Sequence, residues 1–266
     1  EPIDTLEIPD DPFPQVEAEL PLKEHPEGFY LLKKDLEAHF ITESIDLGPA
    51  LGLRDFTVFN SGFNAVCAQE ADTDDDCTGL RIYPGAHVLV RLLSHTHEVN
   101  AVFFQGKRCL ELGCGAGVVT VASLLGSLPD LYVATDGNAD CIKLVERNVA
   151  RLCGGRASAC HLYPMKWIDN DIDHVLHRVG AGHNSFSIAI ASELMYYNTD
   201  LEQLVYTLQQ VVDIKHGLFL SCHGFRVQGQ LEKWLDLLES RLEWVTYVAE
   251  LDSFALPDEI AENPSW

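Results

Sequence analysis

The sequence is short of positive charge. It carries 18 Lys and Arg against 41 Asp and Glu, for a formal net charge of −23. A field of that sign repels nucleic acid and favours basic partners, although ordinary solubility would also account for it. No Cys-x-x-Cys pair occurs among the eight cysteines, so a zinc ribbon is not expected. A chain of 266 residues needs no disulfide staples, so the thiols are read as reduced and intracellular. Cys109 and Cys141 lie in apolar patterns and are expected in the core. The acidic run Asp72 to Asp76 lacks the spacing and distal Glu of a calcium loop, so no metal site is expected. No apolar run reaches the roughly 18 residues of a membrane span. The acidic N-terminus has no charged-then-apolar signal pattern, and with no initiator Met the chain is expected to begin inside a longer product. The compartment expected is the cytoplasm, with the nucleus open, and the expected state is a monomer.

What is present is organised around Lys107 to Gly126, KRCLELGCGAGVVTVASLLG. A short apolar run leads into Glu111, Gly113, Gly115 and Gly117, and an apolar helical stretch follows at once. This reads as a strand, a tight glycine turn and a helix N-terminus, which together admit a ligand close to the backbone and offer it free N–H groups. The dinucleotide fingerprint is Gly-x-Gly-x-x-Gly, and its third position here is Val118, so a nicotinamide oxidoreductase is disfavoured.

On either side of this stretch the chain divides into three parts. Residues 1–27 form an acidic, proline-rich arm, extended or disordered, with little to bury. Residues 28–78 form an N-terminal extension. It holds a helix over Phe29 to Phe40 and a hairpin joining Phe56–Asn60 to Phe63–Cys67 around Ser61-Gly62. Residues 79–266 form the core. It opens with an apolar helix in Gly79 to Leu93, buried through Val88, Leu89, Leu92 and Leu93. Strands are then expected near 108–112, 131–135, 159–163, 186–191 and 217–222, with helices near 117–126, 139–152, 199–213 and 227–240. That alternation argues for a mostly parallel sheet with helices on both faces. Trp244 to Glu250 reads as a sixth strand, and Ser253 to Leu256 is the one candidate for a seventh.

The candidate site lies at the carboxyl ends of these strands. Asp136 ends the second, placed either to accept hydrogen bonds from two ribose hydroxyls or to cap the next helix. Trp167 follows the third, a flat apolar face for adenine or a core residue. Ser192-Glu193-Leu194-Met195-Tyr196-Tyr197 follows the fourth, with Glu193 and Tyr196 near a reactive centre or Glu193 merely a cap. His183, His216 and His223 are read as surface or strand-end residues and not as bases.

Glu-x-Gly-x-Gly-x-Gly after a strand resembles motif I of the class I S-adenosylmethionine-dependent methyltransferases. Four features in order narrow the resemblance: GLRIYPGAHVLVRLL, the ELGCGAG turn, Trp167, and Glu-Leu-Met-Tyr at 193–196. Over residues 79 to 225 the chain is similar to methyltransferase family 16, the non-histone protein lysine methyltransferases. It departs in Tyr83, where that family usually has Trp, and in Glu193, where Asp is commoner. The resemblance implies a Rossmann-like seven-stranded sheet and a protein substrate carrying the methylated lysine. It implies S-adenosylmethionine held by Glu111, Gly113, Gly115, Gly117, Asp136, Trp167 and Tyr83, with Glu193 and Tyr196 as catalytic residues. Methylation of histidine or of a small molecule on the same scaffold stays open, as does a catalytically silent binding module.

Overall fold

A computed structural model describes residues 40–48, 50–59, 78–80, 82–95, 104–127, 129–196, 199–224, 229–242 and 244–246. Two strands come first, β1 (Phe40–Asp46) and β2 (Leu53–Phe59), antiparallel from Phe40 opposite Phe59 to Asp46 opposite Leu53. A one-turn 3₁₀ segment (Thr78–Leu80) and helix α1 (Pro84–His95) lead into the core. There β3 (Arg108–Leu112), α2 (Val118–Gly126), β4 (Leu131–Asp136), α3 (Ala139–Leu152) and β5 (Cys160–Pro164) follow in turn. Then come α4 (Asp169–Arg178), β6 (Ile188–Ser192), α5 (Leu201–Val211), β7 (Leu218–Cys222) and α6 (Gln230–Leu242).

The five core strands are parallel in the order β5-β4-β3-β6-β7. This is the doubly wound order, in which the chain leaves β3 in one direction, returns, and builds the other half from β6. Strand alternation divides the apolar residues between the two faces. Cys109, Tyr132, Ala134, Ile188 and Ile190 pack with α1, α2, α3 and the hairpin. Leu110, Leu112, Val133, Ala189 and Ala191 pack with α4, α5 and α6. Burial on both faces is why the strands read as short continuous apolar runs. Cys109 and Cys141 are fully buried, as their apolar surroundings imply.

β2 pairs with a strand before it that was not expected, and Phe40, expected to end a helix, is the first residue of β1. Between these strands Gly48 and Gly52 take positive φ of 94° and 66° and turn the chain, while Ser61-Gly62, the turn of the expected hairpin, lies outside the described residues. Phe63 to Cys67, the acidic run at 72–76, the arm at 1–27 and the rest of the helix at 29–39 lie outside the described residues, as does the candidate seventh strand. Of the candidate sixth strand only 244–246 are described, and they are irregular, so the described sheet has five strands and not seven.

The hairpin is bonded to the core through one buried side chain. Asn148, on α3, accepts from Thr57 N–H at 2.8 Å and donates through Nδ2 to Thr57 C=O at 3.0 Å, as a neighbouring strand would. Nδ2 also donates to Ala116 C=O, inside the glycine turn, at 2.9 Å. Asn148→Ala leaves three backbone groups in part-buried surroundings without these partners. At about 1 kcal/mol or more for each unmet group, the expected loss is about 2–4 kcal/mol in denaturant-unfolding stability. A loss below about 0.5 kcal/mol would mean that water replaces the amide at no cost.

Candidate functional site

The glycine turn is strained by design. Gly113, Gly115 and Gly117 have φ of 65°, 52° and 81°, the left-handed region that side chains disfavour. Each is also a close approach. A Cβ on Gly113 would stand 2.3 Å from Leu194 Cδ2, one on Gly115 2.8 Å from Gly79 C=O, and one on Gly117 2.9 Å from Val145. The turn therefore touches the segment after β6, the 3₁₀ segment before α1, and α3. Gly117 is the N-cap of α2 without any side-chain cap, so the first N–H groups of α2 have no side-chain acceptor there.

Asp136 stands over the turn. Its Oδ2 accepts from Gly115 N–H at 2.9 Å and its Oδ1 from Asn138 N–H at 2.9 Å. It does not cap α3; Asn138 does, accepting from Asp140 N–H at 2.8 Å. Met165 N–H donates to Asp136 C=O at 2.8 Å, which brings the segment carrying Trp167 alongside. Trp167 is half-buried, with part of its ring packed on the α4–α6 face.

Glu111 is set apart from this group. Strand alternation turns its side chain onto the α2 face, where it is 1% exposed. There Oε2 accepts from Thr120 Oγ1 at 2.6 Å and from the Tyr132 hydroxyl at 2.7 Å. Grouped by sequence with the cofactor residues, it acts here as a strut beneath the turn, tying β3 to α2 and β4.

Across Gly113 and Leu194 lies a second cluster. Glu193 has φ 55°, a left-handed conformation in a non-glycine residue at the end of β6. Its N–H donates to Cys222 C=O at 2.8 Å. Its Oε1 accepts from Gly85 N–H at 2.8 Å, in the first turn of α1, and its Oε2 from Gly224 N–H at 3.2 Å, after β7. A Cβ on Gly85 would stand 2.8 Å from Glu193 Oε1, so the approach requires glycine. Tyr83, two residues before Gly85, is half-buried, with its C=O accepting from Ala86 N–H at 3.0 Å. Tyr196 is half-buried, its backbone held by reciprocal bonds with Thr199 and by Gln230 Nε2 at 3.0 Å from its C=O. Tyr197 lies outside the described residues.

The sequence-derived residues thus fall into two adjoining groups. Gly113, Gly115, Gly117 and Asp136 form one and Glu193 anchors the other, joined by packing of Leu194 on Gly113; Trp167, Tyr83 and Tyr196 lie on the segments that adjoin them. Sequence reasoning missed Gly79, Gly85 and Asn148, whose partners lie far away in the chain. His223, read as a surface or strand-end residue, directly follows β7, and its Nδ1 accepts from Leu194 N–H at 3.2 Å.

Burial pushes the Glu111 carboxyl up to about 7; the Thr120 and Tyr132 hydrogen bonds oppose that, and the charge of Asp136 adds to it. The folded-state value lies above the usual 4.5, so the protonated acid favours the folded state. That contribution is complete below pH 4.5 and is lost as the pH rises to about 7. In Glu111→Gln, which keeps an acceptor for both hydroxyls, the decline of stability over this window is expected to flatten. Urea titrations across the window in both proteins measure it, and identical slopes would show that Glu111 does not titrate there.

Comparison with known proteins bears on the chemistry. The family model of lysine methyltransferases matches residues 65–241. Protein-lysine N-methyltransferase EFM3 of Chaetomium thermophilum is 27% identical over 149 residues, covering 53% of this chain and 40% of that protein. The chain therefore spans about two-fifths of the length of the curated relative it matches. Among solved structures, precorrin-6Y C5,15-methyltransferase from Geobacter metallireducens has a TM-score of 0.39 at 12% identity, over 55% of this chain and 69% of that one. A methyltransferase of this family implies S-adenosylmethionine as its cofactor. The residues present fit that group: close-approach glycines with no room for a Cβ, a helix N-terminus with no side-chain cap, and a carboxylate at the end of the adjacent strand. With its family model matched over more than half its length, the chain belongs to the lysine methyltransferase family.

Proposed function

We propose that the protein transfers a methyl group from S-adenosylmethionine to a lysine amine of a protein substrate. The observation that carries this reading is the state of Glu193. It is a non-glycine residue in a left-handed conformation, its carboxylate fixed by N–H groups from two separate segments, adjacent to the residue packed on Gly113. Backbone strain of this kind persists only where the surroundings over-determine it, and it gathers at functional sites. The lysine specificity and the protein substrate are supported by the family and by the name of the curated relative.

When bound, the cofactor supplies a methyl group on a sulfonium, open to in-line attack by an amine. In this reading the glycine turn lies along the cofactor's methionine part, Asp136 receives the ribose hydroxyls, Trp167 offers a face to adenine, and Tyr83 borders the entrance. A lysine amine with its ordinary pKa near 10.4 is largely protonated at neutral pH, a cost of roughly 4 kcal/mol before it can react. Glu193 holds negative charge at a fixed point, so it draws the ammonium in and orients the amine once its proton has passed to solvent; the amine nitrogen would then take the methyl as the carbon–sulfur bond breaks and S-adenosylhomocysteine leaves. Tyr196 shapes the channel beside it. The net charge of −23 steers basic segments toward the protein. We further propose a monomer working in the cytoplasm or nucleus, with residues 79–266 as the methyltransferase core, 28–78 as an extension of it and 1–27 as an acidic arm.

Cell extract incubated with the protein and labelled S-adenosylmethionine should yield a protein labelled on lysine, identified by mass spectrometry. Label on histidine or on a small molecule would overturn the lysine assignment. Calorimetry should register binding of S-adenosylhomocysteine and none of NAD. Gly115→Ala, whose Cβ meets Gly79 C=O at 2.8 Å in a left-handed backbone, should weaken binding at least about tenfold. Wild-type affinity in that variant would remove the turn from the cofactor site.

Glu193→Gln keeps size and removes charge. Turnover is expected to fall about tenfold or more, about 1.4 kcal/mol of transition-state stabilisation. Affinity for S-adenosylhomocysteine should stay within about twofold, because the glycine turn and Asp136 carry it. Unchanged turnover would leave Glu193 with a purely structural role.

A further inference from the structure

His223 sits between Cys222, the last residue of β7, and Gly224, both of which bond Glu193. Cys222 C=O accepts from Glu193 N–H, and Gly224 N–H donates to Glu193 Oε2. His223 Nδ1 accepts from Leu194 N–H at 3.2 Å. A backbone N–H can only donate, so Nδ1 bears the lone pair, and in the neutral ring the proton is on Nε2. That Nε2 is out of contact with solvent and has no hydrogen-bond partner among the described residues. Burial pulls the imidazole down to about 4, so the ring is neutral at physiological pH. With its lone pair already taken, the ring is no base for a lysine ammonium. What it has left to offer is the Nε2–H.

A buried donor without an acceptor costs about 1–3 kcal/mol, and native structures keep few of them. Beside a reactive centre, it marks a group whose acceptor arrives with a ligand. The order β5-β4-β3-β6-β7 says which ligand. Asp136 ends β4 and the glycine turn follows β3, whereas His223 follows β7, on the far side of β6 and at the edge of the described sheet. The cofactor's contacts lie on the first side, so the part reaching β7 belongs to the substrate. The acceptor is neutral, because a chain of net charge −23, with Glu193 bonded to the residues on both sides of His223, disfavours a carboxylate there. A lysine ammonium is itself only a donor. A carbonyl oxygen of the polypeptide that carries the lysine meets both conditions.

We infer that His223 is a substrate-binding residue whose Nε2–H donates to a backbone carbonyl of the protein substrate beside the methylated lysine. The inference rests on the methyl-transfer reading above. Nε2 is covered in the free protein, so substrate must open the approach, and the bond forms only in the complex. His223 acts on binding and Glu193 on the reaction.

Paired variants test it. His223→Asn keeps an acceptor for Leu194 N–H and removes the distal donor. His223→Gln gives up that acceptor and restores a distal N–H. With the purified extract protein that accepts the label as substrate, His223→Asn should raise KM about tenfold, with kcat and affinity for S-adenosylhomocysteine within about twofold. His223→Gln should recover part of the lost KM. A role confined to holding the loop through Leu194 gives the opposite ranking and overturns the inference, as does an unchanged KM in His223→Asn. Absence of transfer by the wild-type protein overturns the methyl-transfer reading and this inference together; normal transfer with an unaltered KM overturns this inference alone. A loss of S-adenosylhomocysteine affinity in His223→Asn, with KM unmoved, would assign the donor to the cofactor instead. Long-range ¹H–¹⁵N spectra of the wild-type protein should find the His223 proton on Nε2, and a proton on Nδ1 would overturn the inference without any variant.

Discussion

Three alternate residues between β3 and α2 take left-handed backbone conformations, and the rest of the site is arranged to make that possible. Gly113, Gly115 and Gly117 cannot carry side chains, partly by conformation and partly because Leu194, Gly79 and Val145 stand where a Cβ would be. The turn is gripped on two sides. Beneath it, Glu111 joins Thr120 and Tyr132, so the strand before the turn, the helix after it and the neighbouring strand are held in register by one carboxyl group. Beside it, Asp136 accepts from Gly115 N–H, and Asn148 donates to Ala116 C=O. A backbone that is unfavourable in isolation is thereby fixed by bonds from β4 and α3.

The same device recurs on the acceptor side with a different residue type. Glu193 is not glycine, yet it is left-handed, and its carboxylate is met by N–H groups from α1 and from the loop after β7. Both acids at the carboxyl edge of the sheet are thus oriented by backbone donors. Asp136 stands on one side of β3 and Glu193 on the other, so in the proposed reading the sheet order separates the carboxylate assigned to the ribose from the one assigned to the amine. The proposed role of His223 extends that division to β7.

Much of this was legible in the chain. β3 is found at its expected bounds and α3 likewise, because α3 has a polar cap, Asn138, and a clear apolar stripe through Cys141, Leu144, Val145 and Val149. The glycines and Asp136 were visible because their spacing is set by local geometry. Long-range choices were not. β2 pairs with the strand before it, where Gly48 and Gly52 turn the chain, and Asn148, 91 residues away, bonds its Thr57. Helix α4 was hidden because only Ile172, Val175 and Leu176 of its ten residues are buried in an otherwise polar stretch. The direction of Glu111 follows from period-two alternation once β3 is placed on the sheet, but its partners on α2 and β4 do not. The burial of His223 depends on the segment after β6, which the sequence places only as a loop.

The central claim is that the glycine turn and Asp136, at the carboxyl ends of β3 and β4, hold the cofactor while the ends of β6 and β7 serve the substrate. Hydrogen exchange of the backbone amides, with and without S-adenosylhomocysteine, tests it most directly. Slower exchange is expected at 113–120 and 136–141, with little change at 218–224. Protection confined to 218–224, with the glycine turn exchanging as in the free protein, would contradict it.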